Sequence, residues 1–100
     1  MIIITGKAVI EEKDREAFHP VALRQVTLSR TEPGCLTYGC YEDALERGTF
    51  FFYEEWKDQA AVDFHFQQTY SHEFMEAAGR LSSTKPVVTI RQVTGTETLG

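Results

Sequence analysis

The chain has little basic charge, little cysteine, little proline and no asparagine. Its 100 residues carry 10 Lys and Arg against 15 Asp and Glu, a formal charge of −5. No basic block exists to track a phosphate backbone, so nucleic acid is excluded as an expected partner. The longest strictly aliphatic run, Ile2-Ile3-Ile4, falls far short of the roughly 20 apolar residues that span a bilayer. The amino terminus also lacks the basic and apolar stretches of a secretory signal. No membrane partner and a cytoplasmic location are therefore expected. The two cysteines, Cys35 and Cys40, are five positions apart in a segment that reads as a strand. Their Cα atoms would lie ~16 Å apart, where a disulfide needs about 7 Å or less. There is no C-x-x-C pair, no G-x-G-x-x-G and no phosphate loop, so no cofactor is expected.

What is present is an ordinary globular balance, 42% apolar and 25% charged with 3 Pro and 7 Gly, which fits one domain over residues 1–100. Residues 2–11 alternate as a strand, with Ile2, Ile4, Ala8 and Ile10 on one side. A helix is expected from Lys13 to about Arg30, capped by Asp14, with Ala17, Phe18, Val21, Ala22 and Val26 as its apolar stripe. Pro20 inside it predicts a kink, or else a late start. Glu32-Pro33-Gly34 stops the helix. Strands follow at 35–43 and 49–57, the second with faces Phe50, Phe52, Glu54, Trp56 and Phe51, Tyr53, Glu55, Lys57. Asp58 caps a helical region to about Leu81. A break near Thr69 to Ser71 is expected, with Ser71 as a fresh cap. The last strand runs from Lys85 to Thr94.

The order β-α-β-β-α-β predicts an α+β, ferredoxin-like fold with a four-stranded antiparallel sheet. Its helices can cover only one sheet face, yet the second and third strands carry bulky residues on both. A second copy of the sheet is the simplest cover, so a homodimer is expected.

Three pieces together resemble the antibiotic biosynthesis monooxygenase family. They are Glu32-Pro-Gly-Cys-Leu-Thr-Tyr38, Glu54-Glu-Trp56-Lys-Asp58, and His65 nine positions after the tryptophan. The resemblance implies a dimeric α/β barrel. It also implies one of several activities: cofactor-free monooxygenation of quinols or aromatic polyketides, haem degradation, or isomerisation. The haem-degrading branch uses an asparagine on the first strand with a tryptophan and a histidine. This chain has no asparagine, and its one tryptophan lies on the third strand, which argues against haem degradation.

Without flavin or metal, an oxygenase must take the electron from its substrate, such as a deprotonated phenol or hydroquinone. That requires an apolar pocket, a base near neutral pH and a donor for an oxyanion. His65, between Phe64 and Phe66, is the candidate base; the competing reading is a core histidine bonded within the fold. Candidate substrate-binding residues are His72, Tyr70, Tyr38, Trp56 and Arg91. Each has a structural alternative. His72 reads first as a solvated helix-cap residue, about 10 Å from His65 along an unbroken helix, which a break near Tyr70 would swing toward or away from the pocket. Tyr70 could be a packed tyrosine with a wet hydroxyl, Tyr38 and Trp56 core or interface aromatics, and Arg91 an edge arginine paired with acids. Glu54 beside Trp56 reads either as an acid in a pocket wall or as a bonded strand residue. His19 would line a pocket only if the helix kinks at Pro20. No third ligand stands at a metal-binding spacing, so no metal site is expected.

The leading expectation is a cofactor-independent monooxygenase acting with O2 on a small phenolic, quinol or polyketide-like aromatic. A proton-transfer isomerase on a small metabolite is the first alternative. A non-enzymatic dimeric ligand-binding domain is the second.

Overall fold

The structure, a computed structural model, describes residues 1–100. Four strands, β1 (Ile2–Val9), β2 (Cys35–Glu42), β3 (Thr49–Trp56) and β4 (Val87–Gln92), alternate with three helices, α1 (Glu12–Ser29), α2 (Gln59–Gln67) and α3 (Thr69–Leu81). The sheet order is β2-β3-β1-β4, and all three pairings are antiparallel. This is the expected ferredoxin-like βαββαβ arrangement.

Alternation along β1 settles which face the helices cover. Ile2, Ile4, Ala8 and Ile10 are buried against Phe18 and Ala22 of α1, Val62 of α2, and Ala78 and Leu81 of α3. The register carries that face across the sheet. Ile4 pairs with Glu54, and Gly6 with Phe52, on β3; those two residues pair in turn with Tyr38 and Cys40 on β2. Phe51, Tyr53 and Glu55 therefore stand on the opposite face, with Ile3, Thr5 and Tyr41. No helix lies over that face, and Phe51 is 43% exposed and Tyr41 57% exposed.

Several boundaries differ from expectation. α1 begins at Glu12, two residues before Asp14, and Glu11 at its cap makes no side-chain capping bond. Acidic side chains at Glu12 and Asp14 in the first turn favour that end through the helix dipole instead. The helix continues through Pro20 rather than starting late. Pro20 lies on the exposed side, where the carbonyl it leaves without a donor can turn to water. The buried stripe of α1 is Phe18, Ala22, Gln25 and Ser29; Ala17 is exposed. Half of that stripe is polar, which residue-type reasoning passes over. α2 and α3 are separated at Gln68, whose extended backbone (φ −70°, ψ 136°) breaks the helix. Ser71 is not the cap of α3. It is buried in the first turn and accepts a hydrogen bond from Gln25 Nε2 at 3.1 Å.

Two glycines hold the connections. Gly48 has φ +83° in the β2–β3 turn, and a Cβ there would lie 2.4 Å from the Ile10 carbonyl oxygen. A Cβ on Gly34 would meet the Ala61 Cβ at 2.2 Å. Only glycine lets the Glu32-Pro-Gly turn press this closely on α2. Both cysteines are free thiols.

Candidate active site

The helix-covered face contains a cluster of ionisable side chains that the chain assembles from four places. Glu32 comes from the turn after α1, Glu54 and Trp56 from β3, His65 from α2 and Tyr70 from α3. Asp58 sets the start of α2 by accepting from the Ala61 N–H at 2.9 Å. The glycine contact at Ala61 then brings the Glu32 turn alongside the same helix. As a result Glu32 Oε2 lies 2.8 Å from His65 Nδ1, and the Tyr70 hydroxyl donates to the same oxygen.

His65 is 2% exposed and Glu32 6%. The imidazole lies against Trp56, with ring centres 4.4 Å apart, and is flanked by Tyr38 and Phe66 at 5.7 and 5.5 Å. Its Nε2 is 3.9 Å from Glu54 Oε1. That is too long for a hydrogen bond, and Glu54 Oε1 instead accepts from Trp56 Nε1 at 2.9 Å. With the Glu32 carboxylate accepting from Tyr70 and from Nδ1–H, the free lone pair of His65 is on Nε2. An acceptor on one ring nitrogen fixes the tautomer and the orientation of the ring.

Glu54, Tyr38 and His65 line a cavity of about 100 Å³, walled also by Ile4, Phe52, Phe66, Ser71 and Phe74. The exposed Met75 and Val88 mark its rim. Burial pushes the Glu54 carboxyl up to about 7, helped by the nearby Glu32 charge and opposed by hydrogen bonds from Trp56 and Tyr38. Burial, then the Glu54 charge, pushes the Tyr38 phenol well above its ordinary range. Burial and the bond to Glu32 do the same to Tyr70. Both phenols are thereby kept as neutral donors.

Of the residues expected from sequence, the fold brings His65 and Tyr38 together at this cavity, with Trp56 buried against the His65 ring and Tyr70 behind His65 through Glu32. His72 lies elsewhere. The break at Gln68 turns it to the surface, where its Nε2 meets the Phe66 carbonyl oxygen at 2.5 Å. There it lines a larger hollow of about 650 Å³ between α1 and α3. The charged side chains of that hollow, Arg24, Glu73 and Glu76, are all more than half exposed, so it offers no desolvated acid or base. Arg91 pairs with Ile3 on the uncovered face of the sheet, across it from His65. His19 is exposed on α1 and lines a groove beside Phe50 and Tyr41, away from His65. No group of three or more His, Cys, Asp and Glu is placed to hold a metal ion. No helix is long and apolar enough to cross a membrane.

Glu32, Gln25 and Ser71 were not read from sequence as site residues. In sequence Glu32 reads as the stop of a helix and the start of a family-like motif, with no role in the site. Gln25 carried a signal, since it occupies the third position of the stripe 18-22-25-29, where an apolar residue would be expected.

The profile of the family described as antibiotic biosynthesis monooxygenase matches residues 1–77. An uncharacterized protein of Synechocystis sp. is 36% identical over 98 residues, covering 98% of this chain and 67% of that protein. YcnE of Bacillus subtilis is 32% identical over 91 residues, covering 91% of this chain and 95% of that one. The structure of Rv0793 from Mycobacterium tuberculosis superimposes with a TM-score of 0.88 at 21% identity, covering 97% of this chain and 98% of that one. At that identity the likeness speaks for the fold.

Proposed function

Because the chain belongs to the antibiotic biosynthesis monooxygenase family, we propose that it is a cofactor-independent monooxygenase of small phenolic or quinol substrates. The observation that carries this reading is His65. Its Nδ1 is held by Glu32 at 2.8 Å, and its Nε2 is left free beside a cavity walled by Phe52, Phe66 and Phe74. A phenol bound there loses its proton to Nε2, and the resulting phenolate is electron-rich enough to react with O2. His65 is the catalytic base, Glu32 and Tyr70 position it, Trp56 packs against its ring and Tyr38 walls the site. His72 and Arg91, which do not line the His65 cavity, are given no role in this reading.

The cavity, about 100 Å³, is below the roughly 150 Å³ that accommodates benzene in an apolar core, so even a single ring enters only by displacing side chains at the Met75 and Val88 rim, and a fused polyketide needs more displacement still. We further propose that two copies pack through the uncovered sheet face, where Phe51, Tyr53 and Tyr41 stand in a row across β3 and β2.

Oxygen uptake with a panel of monocyclic and fused hydroquinones tests the reading. Monocyclic substrates should consume one O2 per product formed. Equal turnover without oxygen would instead favour the proton-transfer isomerase, which could use the same base.

A further inference from the structure

We propose that Glu54 is the proton donor of the reaction, supplying from across the cavity the proton that the departing oxygen requires. The proposal rests on the oxygenase reading and adds an acid to its base. The geometry carries it. Glu54 is 7% exposed and lines the cavity, and its only ion-pair contact is with His65, at 3.9 Å. The titratable groups facing it are His65 from α2, Glu32 from the turn after α1, and Tyr38 and Cys35 from β2. β1 presents Ile4. Lys7 lines the same cavity but forms no ion pair with Glu54. A buried carboxyl with a second carboxylate nearby and no paired cation holds its proton, in agreement with its elevation to about 7. His65 and Glu54 thus form a base and an acid 3.9 Å apart on one cavity.

The step that needs such an acid is cleavage of the O–O bond. His65 Nε2 takes the phenolic proton, and a ring carbon bearing hydrogen bonds to O2. The peroxide anion formed recovers the proton from His65. Nε2 then removes the ring C–H proton, and that electron pair becomes the new C=O bond as the O–O bond breaks. The distal oxygen leaves with the O–O pair and takes the Glu54 proton, departing as water. Protonated His65 returns its proton to Glu54. The balance is phenol plus O2 giving quinone plus water. Without Glu54, the leaving oxygen would have to draw its proton from His65 in the same step in which His65 takes the ring C–H proton, so the O–O bond would break without an independent acid.

The test uses the full chain, with Glu54→Gln and Glu54→Asp, on a monocyclic hydroquinone or phenol that the wild type oxidises. Glu54→Gln keeps a hydrogen-bond donor of the same shape but has no proton to give. Its KM should stay within about threefold while kcat falls on the order of 10²-fold. Peroxide that oxidises iodide should appear in place of water, in proportion to oxygen consumed. Glu54→Asp should restore part of kcat and suppress the peroxide. A second readout needs no turnover: at pH 6 the wild type should show an infrared carbonyl band of a protonated carboxyl that Glu54→Gln lacks. Wild-type kcat in Glu54→Gln, loss of kcat without peroxide, or absence of that band overturns the assignment while His65 keeps its role. A wild type that consumes no oxygen with any of these substrates removes the oxygenase reading, and this step with it.

Discussion

Glu54 and Glu55 are consecutive on β3, yet they occupy opposite chemical worlds. Glu54 faces the helices, is buried beside a second carboxylate, and has its carboxyl raised to about 7. Glu55 faces away, where the Tyr53 hydroxyl donates to Oε2 at 2.6 Å and the Thr37 hydroxyl donates to Oε1 at 2.8 Å. Those two bonds, with Tyr53 the larger influence, hold its carboxyl below the ordinary range. The period of two along a strand therefore separates two functions within one eight-residue segment. One face builds a desolvated acid–base site. The other keeps its charge solvated by hydroxyls on a flat aromatic surface. The comparison teaches that this sheet is a partition, and substitutions should sort by face.

The largest effect should come from the centre of the covered face. His65→Ala should reduce turnover of a responsive hydroquinone by roughly 10²-fold or more, as expected for loss of a general base. It also leaves Glu32 buried with only Tyr70 as donor, so stability should fall by about 1–3 kcal/mol. Full turnover per folded molecule would return His65 to the status of a core residue and leave the fold intact.

Next in size is the pH dependence of folding. Glu54 has its folded-state value raised from 4.5 to about 7. Between these values the folded state holds a proton that the unfolded state has released. Stability should therefore fall as pH rises through this window, by at most about 3 kcal/mol. In urea melts from pH 4 to 8, Glu54→Gln should be flatter than wild type and relatively more stable at pH 8. Parallel curves for the two proteins would show that Glu54 ionises normally.

The opposite face should respond through assembly. Phe51→Asp places a charge in the centre of the proposed sheet-to-sheet contact, on the face of the sheet opposite His65. The wild type should sediment as a dimer with an interface above about 1,000 Å² in total, and the variant as a monomer at micromolar concentration. Folding should be retained, because Phe51 is already 43% exposed in the single chain. A wild-type monomer would remove the reason for the aromatic row and would break the comparison at its outer half.

How much of this was legible in the sequence follows the same division. Strand faces were legible, because alternation in Ile2–Ile10 and Phe50–Trp56 is local and strict. The helix order and the break near Gln68 were legible for similar reasons. The alignment of acids was not. Glu32 and His65 are 33 positions apart and meet only because Gly34 lets a turn touch Ala61. His72 stands two helical turns from His65 in sequence, and where it points depends on the one extended residue at Gln68. The face of Arg91 follows only from its pairing with Ile3. Contacts that depend on register and on close approach between distant segments are not written in any short window of residues.

The smallest effect should come from Glu55 itself. Because its folded-state value is depressed, it contributes stability at neutral pH that is lost as pH falls through that lowered value. In the isolated chain the group is largely solvated, so Glu55→Gln should cost less than about 1 kcal/mol. If the outer face is the dimer contact, its hydroxyl bonds are enclosed in the assembly and strengthen there. The cost of Glu55→Gln should then be greater in the wild-type dimer than in the Phe51→Asp monomer, a difference that a double-mutant cycle isolates. Equal costs in the two backgrounds would mean that the partner does not cover Glu55, and would move the contact along the sheet toward Tyr41 and the free edge of β2.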